Sequence, residues 1–219
     1  MKEEKILRFG VIGAGRIGKI HAENLANRVP GAEVAAIADV NLEMAQEAAA
    51  RLRIPAVYAD YHQILADPNI DAVAICSSTD THAHIVVEAA QAGKHIFCEK
   101  PIDHDLAKID AALEAVKKAG VKLQIGFNRR FDPNFAHVRE LVAQGKVGDL
   151  HILRITSRDP APPPAEYVKV SGGMFLDMTI HDFDMARFLS GSEVEDVIVA
   201  AGVLVDPFIG GAGDVDTAI

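Results

Sequence analysis

Across the first 127 residues, apolar runs alternate with amphipathic stretches. The runs at 7–13, 34–39, 72–77, 95–99 and 122–127 predict strands. The stretches at 16–29, 41–53, 80–92 and 104–119 predict helices. In the last of these, Leu106, Ile109, Leu113 and Val116 recur at three- and four-residue steps, which is one helical face. Asn41 reads as an N-cap, and Gly93 and Gly120 stand where a helix ends. Continuous apolar strands separated by helices predict a parallel sheet buried on both faces, a doubly wound α/β Rossmann domain.

After residue 127 the rhythm changes. A helix (132–144), a strand (151–157), a Pro-rich loop DPAPPPAE (159–166), a helix (174–190) and a long apolar strand (194–205) follow, and GDVDTAI (213–219) reads as the opening of another strand. The expected organisation is a first domain at 1–126 and an α+β, open-sheet domain at 127–219. A sheet begun and not finished suggests that the second domain is incomplete here. An unpaired edge near 194–219 would invite association.

Composition narrows the class. Of 219 residues, 49% are hydrophobic and 24% charged, which supports a sizeable core and argues against disorder. The net charge of −9 argues against nucleic acid and anionic membranes as partners, since phosphate contacts need clustered Lys and Arg. No stretch approaches the roughly 20 apolar residues of a membrane span. MKEEKILRFG carries mixed charge and no apolar signal core, and Cys76 and Cys98 lack metal-type spacing. These features predict a cytoplasmic protein with two free thiols.

Gly13-Ala14-Gly15-Arg16-Ile17-Gly18 is a G-x-G-x-x-G placed directly after a strand and opening a helix, the context a dinucleotide site requires. Its first glycine permits the tight turn, its second lets a pyrophosphate approach, and its third lets helix pack on strand. Asp39 ends the second strand, 21 residues beyond Gly18. A carboxylate there accepts from ribose hydroxyls and repels a 2′-phosphate, which favours NAD over NADP. Lys100 follows the strand at 95–99, so it projects from a carboxyl end into the cofactor crevice.

FLDMTIHDFDMARFL (175–189) puts Asp177, His181, Asp182 and Asp184 on a helix otherwise rich in apolar residues. At about 100° per residue, Asp177, His181, Asp184 and Phe188 share one stripe, with Phe175, Met178, Met185, Ala186 and Leu189 opposite. Such a row suits a cleft wall doing acid–base chemistry; a solvent-facing stripe and a metal site are the alternatives. No second histidine has helical spacing to this set, so proton handling is preferred to metal binding. Asp182 falls among the apolar residues and is expected to cap or pair with a neighbouring segment.

AGKHIFCEKP (92–101), the glycine fingerprint before it, GFNRRFDP (126–133) and SGGMFLDMTIHDFDMARFLSG (171–191) together resemble the Gfo/Idh/MocA oxidoreductases, most of all the inositol 2-dehydrogenases. The resemblance runs along essentially the whole chain and implies a C-terminally truncated member, because members exceed 300 residues. It implies a catalytic group of Lys100, Asp177 and His181. It also implies cofactor contacts from Gly13, Gly15, Arg16, Ile17, Gly18 and Asp39, from Ser77, Thr79 and His82 in the turn after the 72–77 strand, and from Glu99, Lys100 and Arg129. Thr79-Asp80 departs from the Pro-Asn pair common in members. The implied reaction is NAD-dependent oxidation of a cyclic polyol, most of all myo-inositol, by a tetramer or dimer. Another sugar or sugar-nucleotide dehydrogenase, or a non-catalytic NAD-sensing or scaffold protein, are the other readings.

Overall fold

The computed structural model describes residues 6–219, and the first five residues of the MKEEK start lie outside it. The chain divides into a unit ending at Gly126 and a unit beginning at Phe127.

In the first unit, β1 (Leu7–Ile12), α1 (Arg16–Asn27), β2 (Ala32–Ala38), α2 (Leu42–Leu52), β3 (Ala56–Tyr58), α3 (His62–Ala66), β4 (Ala72–Ile75), α4 (Thr79–Gln91), β5 (His95–Cys98), α5 (Leu106–Ala119) and β6 (Leu123–Ile125) follow in order. The strands form one parallel sheet in the order β3-β2-β1-β4-β5-β6. The chain therefore winds outward from β1 in both directions, and the crevice where ligands bind such sheets opens between β1 and β4.

Apolar runs become strands here because helices cover both sheet faces. One face carries Ile12, Ile64, Val73, Ile75 and Val86, and the other carries Val11, Ala22, Ile37 and Ala48. Ile37, Val73 and Ile75 have no exposed surface, and each contributes about 1.5–3 kcal/mol by leaving water. Asn41 caps α2 by accepting from the Met44 N–H, and Asp105 caps α5 through Ala107. α5 ends at Gly120 with φ +69°.

β3 and α3 were not predicted. Three residues of strand and five of helix are too short to establish a period, and β3 exists because it pairs with Ala36–Ala38 of β2.

The second unit holds a 3₁₀ turn (Asn128–Phe131), α6 (Pro133–Ala143), α7 (Ala165–Val168), a π-helical turn (Phe175–Thr179), α8 (Ile180–Ser190), β7 (Ala201–Gly202), α9 (Pro207–Gly211) and β8 (Thr217–Ala218). Asp132 caps α6 at two N–H groups, with Pro133 in the first position. Two predictions are corrected. The 151–157 strand is absent: the segment has no regular structure, and no neighbouring strand pairs with it among the described residues. The 194–205 strand shrinks to β7, which forms an antiparallel ladder with β8 in place of a long strand. Apolar and β-branched runs favour strand, yet a strand exists only where a partner supplies its hydrogen bonds.

Candidate functional site

The glycine loop owes its shape to close backbone approach. Gly13 has φ +101°, and a Cβ there would lie 2.5 Å from the Cys76 carbonyl oxygen. A Cβ on Gly18 would overlap the Gly13 carbonyl. At Gly15, by contrast, a Cβ would meet nothing within 4 Å, so open space faces the loop at the start of α1. No side chain caps that helix start. Free N–H groups beside open space suit a pyrophosphate. Arg16 is exposed and Ile17 packs against the apolar cluster of that sheet face.

Asp39 ties the loop together. One carboxylate oxygen accepts from the Ala14 N–H at 2.6 Å and the other from the Asn41 N–H at 2.8 Å. A carboxylate offers about four acceptor sites, so two remain for ribose hydroxyls. Glycine turn, open helix start and strand-end carboxylate fit an adenine dinucleotide.

Beyond β4, the Ser77 hydroxyl pairs with that of Thr81 at 2.7 Å, and Thr79 opens α4 half-buried. His82 is 2% exposed, with Nδ1 2.8 Å from the Pro101 carbonyl oxygen and Nε2 3.1 Å from that of Ser77. Beyond β5, Glu99 meets His21 Nε2 of α1 at 2.6 Å through one oxygen, while the other accepts from the Lys100 N–H at 3.3 Å. The His21 ring lies tilted against Phe97, 4.8 Å between centroids. Gly126 leaves room for the Glu99 carboxylate, since a Cβ there would stand 3.0 Å from it. Lys100 is half-buried, and the Lys100–Pro101 peptide is cis.

His21 escaped the sequence reading. The signal available was its place three residues after Gly18, where the close glycine contact presses α1 onto the sheet. Neither thiol is a nucleophile: Cys76 and Cys98 are buried, and burial, aided by Glu99, pushes the Cys98 thiol up to about 12.

In the second unit, Arg129 Nη1 donates to Asp182 Oδ1 at 2.5 Å and to Ser157 at 3.2 Å, and Ser157 donates to the same carboxylate at 2.6 Å. Asp182 thus pairs with two other segments, as its position among apolar residues suggested. Asp184 is buried and gripped through both oxygens by Arg130, whose guanidinium stands 5.3 Å over the Phe188 ring. That hydrogen bonding raises the Arg130 pKa further.

These contacts correct the single polar stripe. Asp177 lies within the π-helical turn, whose wider winding breaks the 100° phase assumed for 174–190, and His181 lies half-buried in the first turn of α8. Asp184 and Phe188 belong to the Arg130 anchor. Asp177 accepts from the Tyr167 hydroxyl at 2.9 Å, a contact from α7 that the Pro-rich loop gave no sign of. Among the described residues, no three His, Cys, Asp or Glu side chains gather as a metal-ligand set, and no helix is long and apolar enough to cross a membrane.

Comparison with known proteins gives matches along the chain. Residues 7–127 match the oxidoreductase family with an NAD-binding Rossmann fold, and residues 135–219 match the GFO/IDH/MocA C-terminal domain. The myo-inositol 2-dehydrogenase of Thermotoga maritima is 55% identical over 97% of this chain and 64% of its own length. The inositol 2-dehydrogenase of Rhizobium meliloti is 49% identical over 96% of this chain and 63% of its own length. The crystal structure of scyllo-inositol dehydrogenase from Lactobacillus casei with bound NAD(H) and scyllo-inositol is 36% identical, covers 98% of this chain and 65% of that one, and superposes with a TM-score of 0.88. The chain therefore spans somewhat less than two thirds of the length of these relatives.

Proposed function

The chain belongs to the Gfo/Idh/MocA oxidoreductase family, its residues 7–127 being an NAD-binding Rossmann domain, and from that premise we propose that it serves NAD-dependent oxidation of a cyclic polyol at a secondary alcohol, with myo-inositol as substrate and 2-keto-myo-inositol as product. The observation that carries the reading is the pairing of a dinucleotide loop, held by Asp39, with the Glu99-Lys100-Pro101 segment at the end of β5. That the relatives include inositol 2-dehydrogenases supports a polyol as the substrate class.

Bound NAD supplies a nicotinamide ring able to accept a hydride. The chain's own residues handle the oxygen and its proton. His181 takes the hydroxyl proton, a task suited to an imidazole whose unperturbed pKa is about 6.5. Lys100 supplies a cationic donor that stabilises the alkoxide character developing as hydride leaves. Asp177, oriented by Tyr167, aligns the substrate or the imidazole. On the cofactor side, Gly13, Gly15, Arg16, Ile17 and Gly18 cradle the pyrophosphate and Asp39 receives the ribose. Ser77, Thr79, Glu99 and Lys100 border the crevice. Arg129 is held by Asp182, so its contribution is to fix the 3₁₀ turn that carries it. The working enzyme is a cytoplasmic homo-oligomer in this reading.

A panel of myo-inositol, scyllo-inositol and glucose, each supplied with NAD, tests the substrate assignment. Fastest NADH formation from myo-inositol supports it, and preference for another member reassigns the substrate within the family. NADH binding without turnover of any polyol would favour a sensor or scaffold.

A further inference from the structure

His82 is as buried as the apolar core around it, yet both of its ring nitrogens face main-chain carbonyl oxygens on two different loops. The β4–β5 ladder sets the spacing of those loops only as far as the bond from the Glu99 N–H to the Ile75 carbonyl. Ser77 and Pro101 lie two residues beyond it on their respective chains, past the ladder's last bond. The imidazole spans that gap.

We propose that His82 is a positioning residue of the cofactor crevice, whose buried ring sits wedged between the Ser77 and Pro101 carbonyls, donates its N–H to one of them and so fixes the Ser77 loop and the start of α4 against the segment of Lys100. The inference rests on the NAD reading and revises one part of it. With 2% exposure and both nitrogens taken up by carbonyls, His82 has no polar atom left for a ligand. It therefore acts through the loops it joins. Buried carbonyls demand donors, and the imidazole N–H supplies one where no strand does. A leucine in its place fills similar volume but offers no donor. A glutamine amide keeps an N–H for one of the two carbonyls.

The test is NADH titration of the full chain by fluorescence, with a thermal midpoint for each protein. His82→Leu is expected to weaken NADH binding by about tenfold or more, the equivalent of one lost hydrogen bond to a buried carbonyl, while His82→Gln stays within about threefold of wild type. Rescue by glutamine is the readout that a simple packing role would not give. Unchanged NADH affinity in His82→Leu overturns the proposal, as does an equal loss in both variants that tracks their thermal midpoints. If the leucine variant does not fold, His82→Asn, too short to span both carbonyls, is held to the same criteria. Failure of the wild-type chain to bind NADH removes the NAD reading itself, whereas wild-type binding with an indifferent His82→Leu removes the clamp alone.

Discussion

Arg130 holds Asp184 by both carboxylate oxygens, through Nε at 3.0 and 2.8 Å and Nη2 at 2.5 Å, with the Asp184 side chain 5% exposed and that of Arg130 38% exposed. The pair joins the 3₁₀ turn after residue 127 to the middle of α8, the helix that begins at Ile180 beside His181. It is an anchor for the candidate chemistry and takes no part in it.

Asp184→Asn should lower unfolding stability by about 1–3 kcal/mol, because it leaves a guanidinium without its charged acceptor while the half-exposed Arg130 recovers some water. Urea unfolding of the full chain measures this. Stability within error of wild type would show that the fork contributes nothing.

Asp39→Ala should weaken NADH binding by about tenfold or more and narrow the preference for NAD over NADP. The side chain holds the Ala14 N–H and, in the proposed site, also receives the ribose, so two effects add. Parallel titrations with NADH and NADPH check the result. A variant with unaltered affinity and preference would take Asp39 out of cofactor recognition.

Gly18→Ala should destabilise the first unit by about 1–3 kcal/mol, since its Cβ overlaps the Gly13 carbonyl and the backbone must shift. Circular dichroism melts report it directly. An unchanged melt would mean that α1 can lift from the loop at no cost.

The residues most legible in the sequence were those whose neighbours in the chain are also their neighbours in space. The strand–glycine–helix order of 7–29 specified the Rossmann turn, and Asp39 was placed by strand-end position alone. Contacts between distant segments were not legible. Asp184 looked like part of a catalytic stripe until Arg130, 54 residues earlier, was found gripping it. The π-helical turn at Phe175–Thr179 gives no periodic signal of its own, so the helical wheel ran through it unbroken. The apolar and β-branched residues of 151–157 predicted a strand, but such content reports a preference for strand and cannot supply the partner. His21 carries a contact to Glu99 across 78 residues that only the folded sheet creates.

Asp216 gives a pH prediction. It accepts from the backbone N–H groups of Asp206, Leu204 and Val205 and from the Thr217 hydroxyl, and these bonds hold its carboxyl well below the usual carboxylate range. A folded pKa below the unfolded one stabilises fully above the ordinary carboxylate range, about 3.9 for Asp, and that stability is lost as pH falls through it toward the folded value. Wild type should therefore lose more stability than Asp216→Asn between neutral pH and pH about 3. Parallel acid-limb curves in the two proteins would contradict the assignment.

The most direct test of the central claim mixes this chain with NAD and myo-inositol and follows NADH formation in wild type, Lys100→Met and His181→Ala. Steady NADH formation is predicted for wild type, reduced by about 100-fold or more in each variant, with NADH binding retained. A wild-type chain that binds NADH but forms none from myo-inositol, or variants that turn over at the wild-type rate, would contradict the claim that Lys100 and His181 carry a polyol oxidation.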